Sequence, residues 1–231
     1  MISKNFLFGL PIYHTKVDPK KYDKDKIVNI INNNYSKDSY RNLYDDDQSD
    51  LHHSFKDTKN EKFEDIDYKE TGLLSVYEDI FKDFANVSLK TKDKFLYRFS
   101  IENYTATKNS QFMRPHQHLP YVDFATVHYL QFDNKNHSNT VFINSNDFGP
   151  YINYIRKNFY NVCDNKNIDN SYLFQNWKYD VEEDDMIIFP SFLKHEIPKQ
   201  KNDIDKLRIT VVCNLSIENS EERITQNEHR T

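Results

Sequence analysis

The apolar residues of this chain change period once, and that change limits what it can fold into. Between residues 73 and 89, Leu74, Val76, Tyr77, Ile80, Phe81 and Phe84 recur at helical spacing. From Lys94 onward the period is two: Phe95, Tyr97, Phe99 and Ile101 alternate with more polar positions. Further strands are expected at 121–132, 140–145, 173–179, 185–190 and 206–217, with a short helix or crossing loop at 151–162. An earlier helix is expected to start at Asp18-Pro19, with Asp as N-cap and Pro in the first turn, and Ile27, Val28, Ile30 and Ile31 as its apolar face. Helices therefore come first and at least six strands follow. That order predicts a mainly β chain with N-terminal helices, two β layers and the helices packed on one outer face.

Other segments are less regular. Phe6 to Val17 is expected as an opening strand interrupted by Pro11. Residues 35–70 are polar and acidic, and are expected as a long, loosely structured excursion, with a lid over a site as the alternative. Only 3 glycines are present, few for a sandwich with many tight turns. Aromatic residues make up 15% of the chain, a composition that suits half-buried pleated surfaces. The formal charge of −5 argues against a general electrostatic grip on nucleic acid. Two distant cysteines, Cys163 and Cys213, form no disulfide framework or metal-type pair, so a reduced, cytoplasmic protein is expected. The N-terminus is too short in apolar residues for a secretory segment, and no run approaches the roughly 20 residues of a membrane span. The abundance of Asn, Lys and Ile suggests an AT-rich phage or bacterial genome, with the host cytoplasm as the location if viral.

Chemistry concentrates in three places. His116 and His118 stand one residue apart just before the run 121–132. On an extended backbone, residues i and i+2 point the same way, so both rings can reach one point. His195 follows a second apolar run, 185–190. Two close ligands and a distant third suit a metal held by a rigid β scaffold. The final strand has Arg208, Thr210, Val212 and Asn214 on one face and Ile209, Val211, Cys213 and Leu215 on the other. The apolar face suits packing against the helices. A guanidinium facing a cavity needs a partner, and a ligand carboxylate would supply one. The bland reading of Arg208 is a surface or salt-bridged arginine. His14, His52, His53, His137 and His229 are expected to be solvated, and His128 to point away from Tyr129.

The order His116-Gln-His118, Tyr129-Leu130, Phe189-Pro-Ser191, His195 and Arg208-Ile-Thr210 to Asn214, after Leu7-Phe-Gly-Leu-Pro11, resembles the Fe(II)/2-oxoglutarate-dependent dioxygenases. The likeness is greatest to a bacterial and phage branch with a His-x-His motif, and it spans about Leu7 to Leu215. The resemblance implies a double-stranded β-helix, a jelly-roll or cupin-like sandwich. It divides one oxygenase domain, 1–231, into an N-terminal strand, helices and polar excursion (1–93), a core (94–217) and a tail (218–231). It implies Fe(II) as metal, 2-oxoglutarate as cosubstrate and O2 as oxidant, with succinate and CO2 released as an unactivated C–H bond is hydroxylated. His116 and His195 would be iron ligands, and His118 occupies the usual place of a carboxylate. Arg208, assisted by Thr210, would bind the distal carboxylate of 2-oxoglutarate. Tyr129 and Tyr104 match cosubstrate-contacting positions, and Asn214 would line the same face. The preferred ligand set is His116, His118 and His195, with Asp123 as the alternative third ligand or a group orienting one.

The substrate is an organic molecule or protein side chain of unspecified identity, with neither membrane nor nucleic acid indicated and no oligomeric state implied. Two other functions stay open: a cupin-type metalloenzyme that does not use 2-oxoglutarate, and a non-enzymatic jelly-roll binding module.

Overall fold

The chain opens as a hairpin. In the computed structural model, which describes residues 1–39, 49–55, 63–89, 95–118, 122–145, 163–164, 166–202 and 204–219, β1 (Ser3–Leu7) and β2 (Leu10–Lys16) pair antiparallel about Phe8-Gly9. Both turn residues have positive φ, 54° and 82°. Such a two-residue turn twists with the strands it joins, and glycine meets its conformation at no steric cost. The single opening strand expected over Phe6 to Val17 is thus two strands, broken at Phe8-Gly9, while Pro11 sits inside β2. Asn109 and Asp184 take the left-handed region at other turns, so non-glycine residues cover part of the glycine shortage.

Asp18 caps a 3-10 turn at Pro19–Lys21, and Asp23 caps α1 (Lys24–Lys37) by accepting from Lys26 N. The helix expected from Asp18-Pro19 therefore starts five residues later and reaches into the polar excursion. That excursion also contributes β3 (Ser49–Asp50) and β4 (His52–His53). Two-residue strands leave no periodic signal, which is why they are not legible beforehand. α2 (Leu73–Asp83) continues as a π-helical turn over Phe84–Ser88.

The remaining strands are β5 (Phe95–Thr107), β6 (Phe112–His116), β7 (Phe124–Gln131), β8 (Val141–Ile143), β9 (Asn176–Lys178), β10 (Asp185–Pro190), β11 (His195–Ile197) and β12 (Arg208–Asn219). They form a seven-stranded sheet, β1-β2-β10-β7-β12-β5-β4, facing a five-stranded sheet, β3-β6-β11-β8-β9. Every pairing is antiparallel. This is the expected two-layer, jelly-roll-like sandwich. The segment 151–162, most of the tail and His229 lie outside the described residues.

Side-chain alternation builds two cores. Leu130 and Ile188 join Ile209, Val211, Cys213 and Leu215 against Ile27, Ile31, Tyr77, Phe81 and Phe84 of the helical layer. The opposite face sends Ala125, Val127, Tyr129, Ile187 and Phe189 toward Phe142 and Trp177 of the smaller sheet. The final strand's apolar face therefore packs on the helices as expected, and its polar face looks between the sheets. Among the described residues, no helix is long and apolar enough to cross a membrane.

Candidate active site

A cavity of about 240 Å³ opens between the sheets, lined by His116, His118, His195 and, from one face of the first half of β12, Arg208, Thr210, Val212 and Asn214. His116 closes β6 and His195 opens β11, and the two are direct partners across that antiparallel pair. Opposed residues on one sheet face stand close, so register brings the first and third histidines together. His118 lies just beyond β6 and is fixed by its backbone, whose N–H donates to Ser191 O at 2.9 Å. Ser191 is tied in turn, its N–H to Asp123 O and its hydroxyl to Val122 O. The Phe189-Pro-Ser191 segment thus anchors the His-x-His loop. The ring centroids lie 4.3 Å (His116–His195), 5.2 Å (His118–His195) and 5.5 Å (His116–His118) apart.

Each imidazole has an oxygen opposite Nδ1 at 3.0 Å: Arg114 O for His116, Asn214 Oδ1 for His118 and Leu193 O for His195. An Nδ1–H donating to each acceptor leaves every Nε2 unprotonated, the tautomer that ligates metal. One ring nitrogen from each of the three lies within 4.8 Å of the others. Burial drives all three toward the neutral form. It lowers His116 to about 4 against the small opposing effect of Arg114 O, and it takes His195 well below the usual value, with its two neighbours adding to the effect. His118 is also lowered by burial, partly offset by Asn214. Three neutral nitrogen donors converge without having to shed protons first.

Arg208 closes the far end. It is wholly buried. Nε donates to Ser138 O at 3.0 Å and one terminal nitrogen to Thr140 Oγ1 at 3.1 Å, while the other, NH1, has no partner among the described residues. No carboxylate among the described residues pairs with it. Burial lowers its pKa, opposed by Tyr129, and the guanidinium stays charged. Tyr129 donates to Thr140 Oγ1 at 2.7 Å, and its ring lies 5.3 Å from the guanidinium carbon. Thr210 shares a 2.7 Å hydrogen bond with Thr105 on β5.

Other expected residues go elsewhere. Tyr104 is on the helical side, where its hydroxyl meets His52 Nε2 at 3.0 Å and receives Asn34 Nδ2 at 3.1 Å. Asp123 is exposed and accepts from Ile217 N at 2.7 Å, outside the histidine cluster. His52, His53 and His137 are buried rather than solvated. His52 packs among Tyr35, Phe63 and Tyr104, and His137 closes a turn between Asp133 N and Lys206 O. His128 does point away from Tyr129, toward Tyr77.

Several cavity residues were not anticipated: Thr140, Thr105, Glu102 and Asn103. The last two follow from a β-bulge. Asn103 pairs with Val212 and Ile101 with Cys213, leaving Glu102 as an extra residue. The signal is present in the sequence, since the apolar side is odd-numbered through Tyr97, Phe99 and Ile101 and even-numbered at Tyr104 and Ala106. A larger open groove of about 590 Å³ is lined by none of these three histidines, and its His14 and Lys16 are both paired with Asp185.

No family model matches the chain, and no curated protein matches it by sequence. Solved structures do match its fold. AviO1 from Streptomyces viridochromogenes superposes with a TM-score of 0.52 at 10% identity, over 93% of this chain and 89% of the other. A prolyl hydroxylase from Trichoplax adhaerens, in complex with a hypoxia-inducible-factor oxygen degradation domain peptide, gives 0.50 at 10% identity, over 93% and 86%. At such identity the likeness concerns the fold.

Proposed function

We propose that this chain is an Fe(II)- and 2-oxoglutarate-dependent oxygenase that hydroxylates an unactivated C–H bond of an organic substrate. The observation that carries this reading is Arg208. A wholly buried guanidinium that, among the described residues, has an unpartnered nitrogen and no carboxylate opposite it shares one cavity with three convergent imidazoles. A buried cation is costly unless paired. A ligand with a carboxylate at one end and metal-binding oxygens at the other satisfies both ends of the cavity.

The donor set fits a first-row metal. Imidazole suits Fe(II), and three ligands from one side leave positions for other groups. Having three histidines in place of two and a carboxylate leaves the centre one negative charge poorer. Iron(II) with 2-oxoglutarate and O2 would supply an oxidation in which 2-oxoglutarate leaves as succinate and CO2 and a substrate C–H becomes C–OH. The chain's own residues hold and orient. Asn214, Arg114 and Leu193 fix the three ring tautomers, and Arg208 offers its unpartnered NH1 and its charge to the distal carboxylate. Tyr129 and Thr140 brace the guanidinium, while Thr210 and Thr105 stand on the cavity wall. The inter-sheet apolar residues keep bulk water from that end.

The peptide held by the Trichoplax neighbour supports an organic substrate, free or within a polypeptide. A cupin-type metalloenzyme without 2-oxoglutarate would need the histidines but gives Arg208 nothing to bind. The test is anaerobic addition of Fe(II) and then 2-oxoglutarate to the purified protein. A metal-to-ligand charge-transfer band and slow uncoupled succinate release are expected. Neither band nor succinate would overturn the proposal.

A further inference from the structure

The bulge on β5 places two consecutive residues, Glu102 and Asn103, on the wall of the cavity. A regular strand can present only every second residue to one face, and bulges beside active sites re-aim side chains in this way. Glu102 is the one carboxylate among the described residues that line the cavity, and the Ser100 hydroxyl donates to it. Asn103 is 9% exposed, and its Oδ1 is buried without a partner among the described residues. That oxygen accepts hydrogen bonds. The neighbouring carboxylate only accepts, so the missing ligand group is a donor. Apolar and aromatic surface adjoins the pair: Met113 lines the same cavity, and Phe55 stands 39% exposed at it.

We infer that Glu102 and Asn103 are specificity-determining residues that receive an alkyl ammonium group of the substrate beside the histidine cluster. This rests on the oxygenase reading above and names its substrate class as a primary amine on an aliphatic stem. The ammonium donates to Glu102 and Asn103 Oδ1, Met113 packs on the stem, and the Phe55 ring offers its face to the cation. Arg208 at the far end and Glu102 on this wall sort two ligands by charge. The dicarboxylate is drawn to the cation and the amine to the anion, and like charges repel the reverse arrangement.

The test is calorimetric titration of the full chain, with and without Mn(II) and 2-oxoglutarate. The probes are n-hexylamine and Nα-acetyl-lysine amide, each against its hydroxyl isostere. Each amine that fits should bind about tenfold or more tighter than its isostere, the scale of one charge-assisted hydrogen bond. The preference should shrink with added salt. Glu102→Gln, of the same shape without the charge, should bring amine and alcohol to within roughly twofold. Tighter binding of hexylamine assigns a small molecule, and tighter binding of the blocked lysine assigns a protein side chain; either supports the inference. No saturable binding of either amine, or a preference that survives both salt and Glu102→Gln, overturns it. A charge-transfer band without amine preference strikes this inference alone. Amine preference without the band strikes only the oxygenase reading.

Discussion

Arg208→Met should separate stability from cosubstrate binding, moving them in opposite directions. In the free protein the guanidinium is wholly buried, has one nitrogen unmatched among the described residues and is held by two uncharged oxygens, Ser138 O and Thr140 Oγ1. Replacing buried charge with apolar side chains of similar volume is commonly neutral or stabilising by about 1–4 kcal/mol. Thr140 keeps Tyr129 as a partner in the variant, so only Ser138 O loses its donor. The metal-free variant should therefore melt no lower than the wild type. Cosubstrate binding should collapse. Removing one member of a buried, hydrogen-bonded charge pair costs about 2–5 kcal/mol, which is roughly 30-fold to several-thousand-fold in Kd. The assay is anaerobic thermal unfolding with Mn(II), with and without 2-oxoglutarate. At 100 times Kd the ligand should stabilise the wild type by about 2.7 kcal/mol. For a chain of this length that is roughly 5–10 °C, and the variant should show almost no shift at the same concentration. A variant that binds 2-oxoglutarate within about threefold of wild type would refute the role given to Arg208. A variant that melts far below wild type would refute the claim that its charge is a burden to the free fold.

Three further outcomes follow from the same structure. Asn214→Ala removes the acceptor for His118 Nδ1 and should weaken Co(II) or Fe(II) binding by about 10–100-fold, read by metal titration. His128 is wholly buried between β7 and α2, and burial lowers its pKa to about 3. Its folded value lies below its unfolded one, so the neutral form's contribution is complete above about pH 6.5 and is lost as pH falls toward 3. Urea midpoints between pH 7 and 4 should show that loss, and His128→Gln should remove up to about 1.4 kcal/mol per pH unit of it; an unchanged slope would contradict the assignment. Phe81→Ala on α2 deletes a ring that packs at 5.0 Å from Phe99, and should cost about 3–5 kcal/mol in chemical denaturation without altering the charge-transfer band.

The residues that were legible in the sequence share one property: their role depends on the face they occupy within a single element. Ile209, Val211, Cys213 and Leu215 had to face one way and Arg208, Thr210, Val212 and Asn214 the other, because a strand alternates. The same rule suggested that His116 and His118 would converge, yet only His116 ends β6; His118 lies past the strand and is placed by its backbone bond to Ser191 O. Tyr104 shows where the rule stops. Continued alternation from Phe95 puts even-numbered residues toward the cavity, Tyr104 among them. The extra residue at Glu102 shifts the count by one and turns Tyr104 to the helices, while Asn103, Thr105 and Thr107 turn inward. His52 and His53 look solvated in a polar stretch, yet the short β4 pairs them with Ala106 and Thr105 and buries them.

By itself, then, the sequence determined the order of the two main helices and the long strands, the apolar and polar faces of those strands and the identity of the chemistry-bearing side chains, but not the short strands β3, β4, β6 and β11. These are local quantities, set by backbone period and residue type. Tertiary structure decided the register that opposes His195 to His116, the oxygens that stand opposite each Nδ1 and leave each Nε2 unprotonated, and the absence of any carboxylate beside Arg208 among the described residues. Those depend on contacts between segments far apart in the chain, and no local pattern encodes which atom will stand opposite a buried guanidinium.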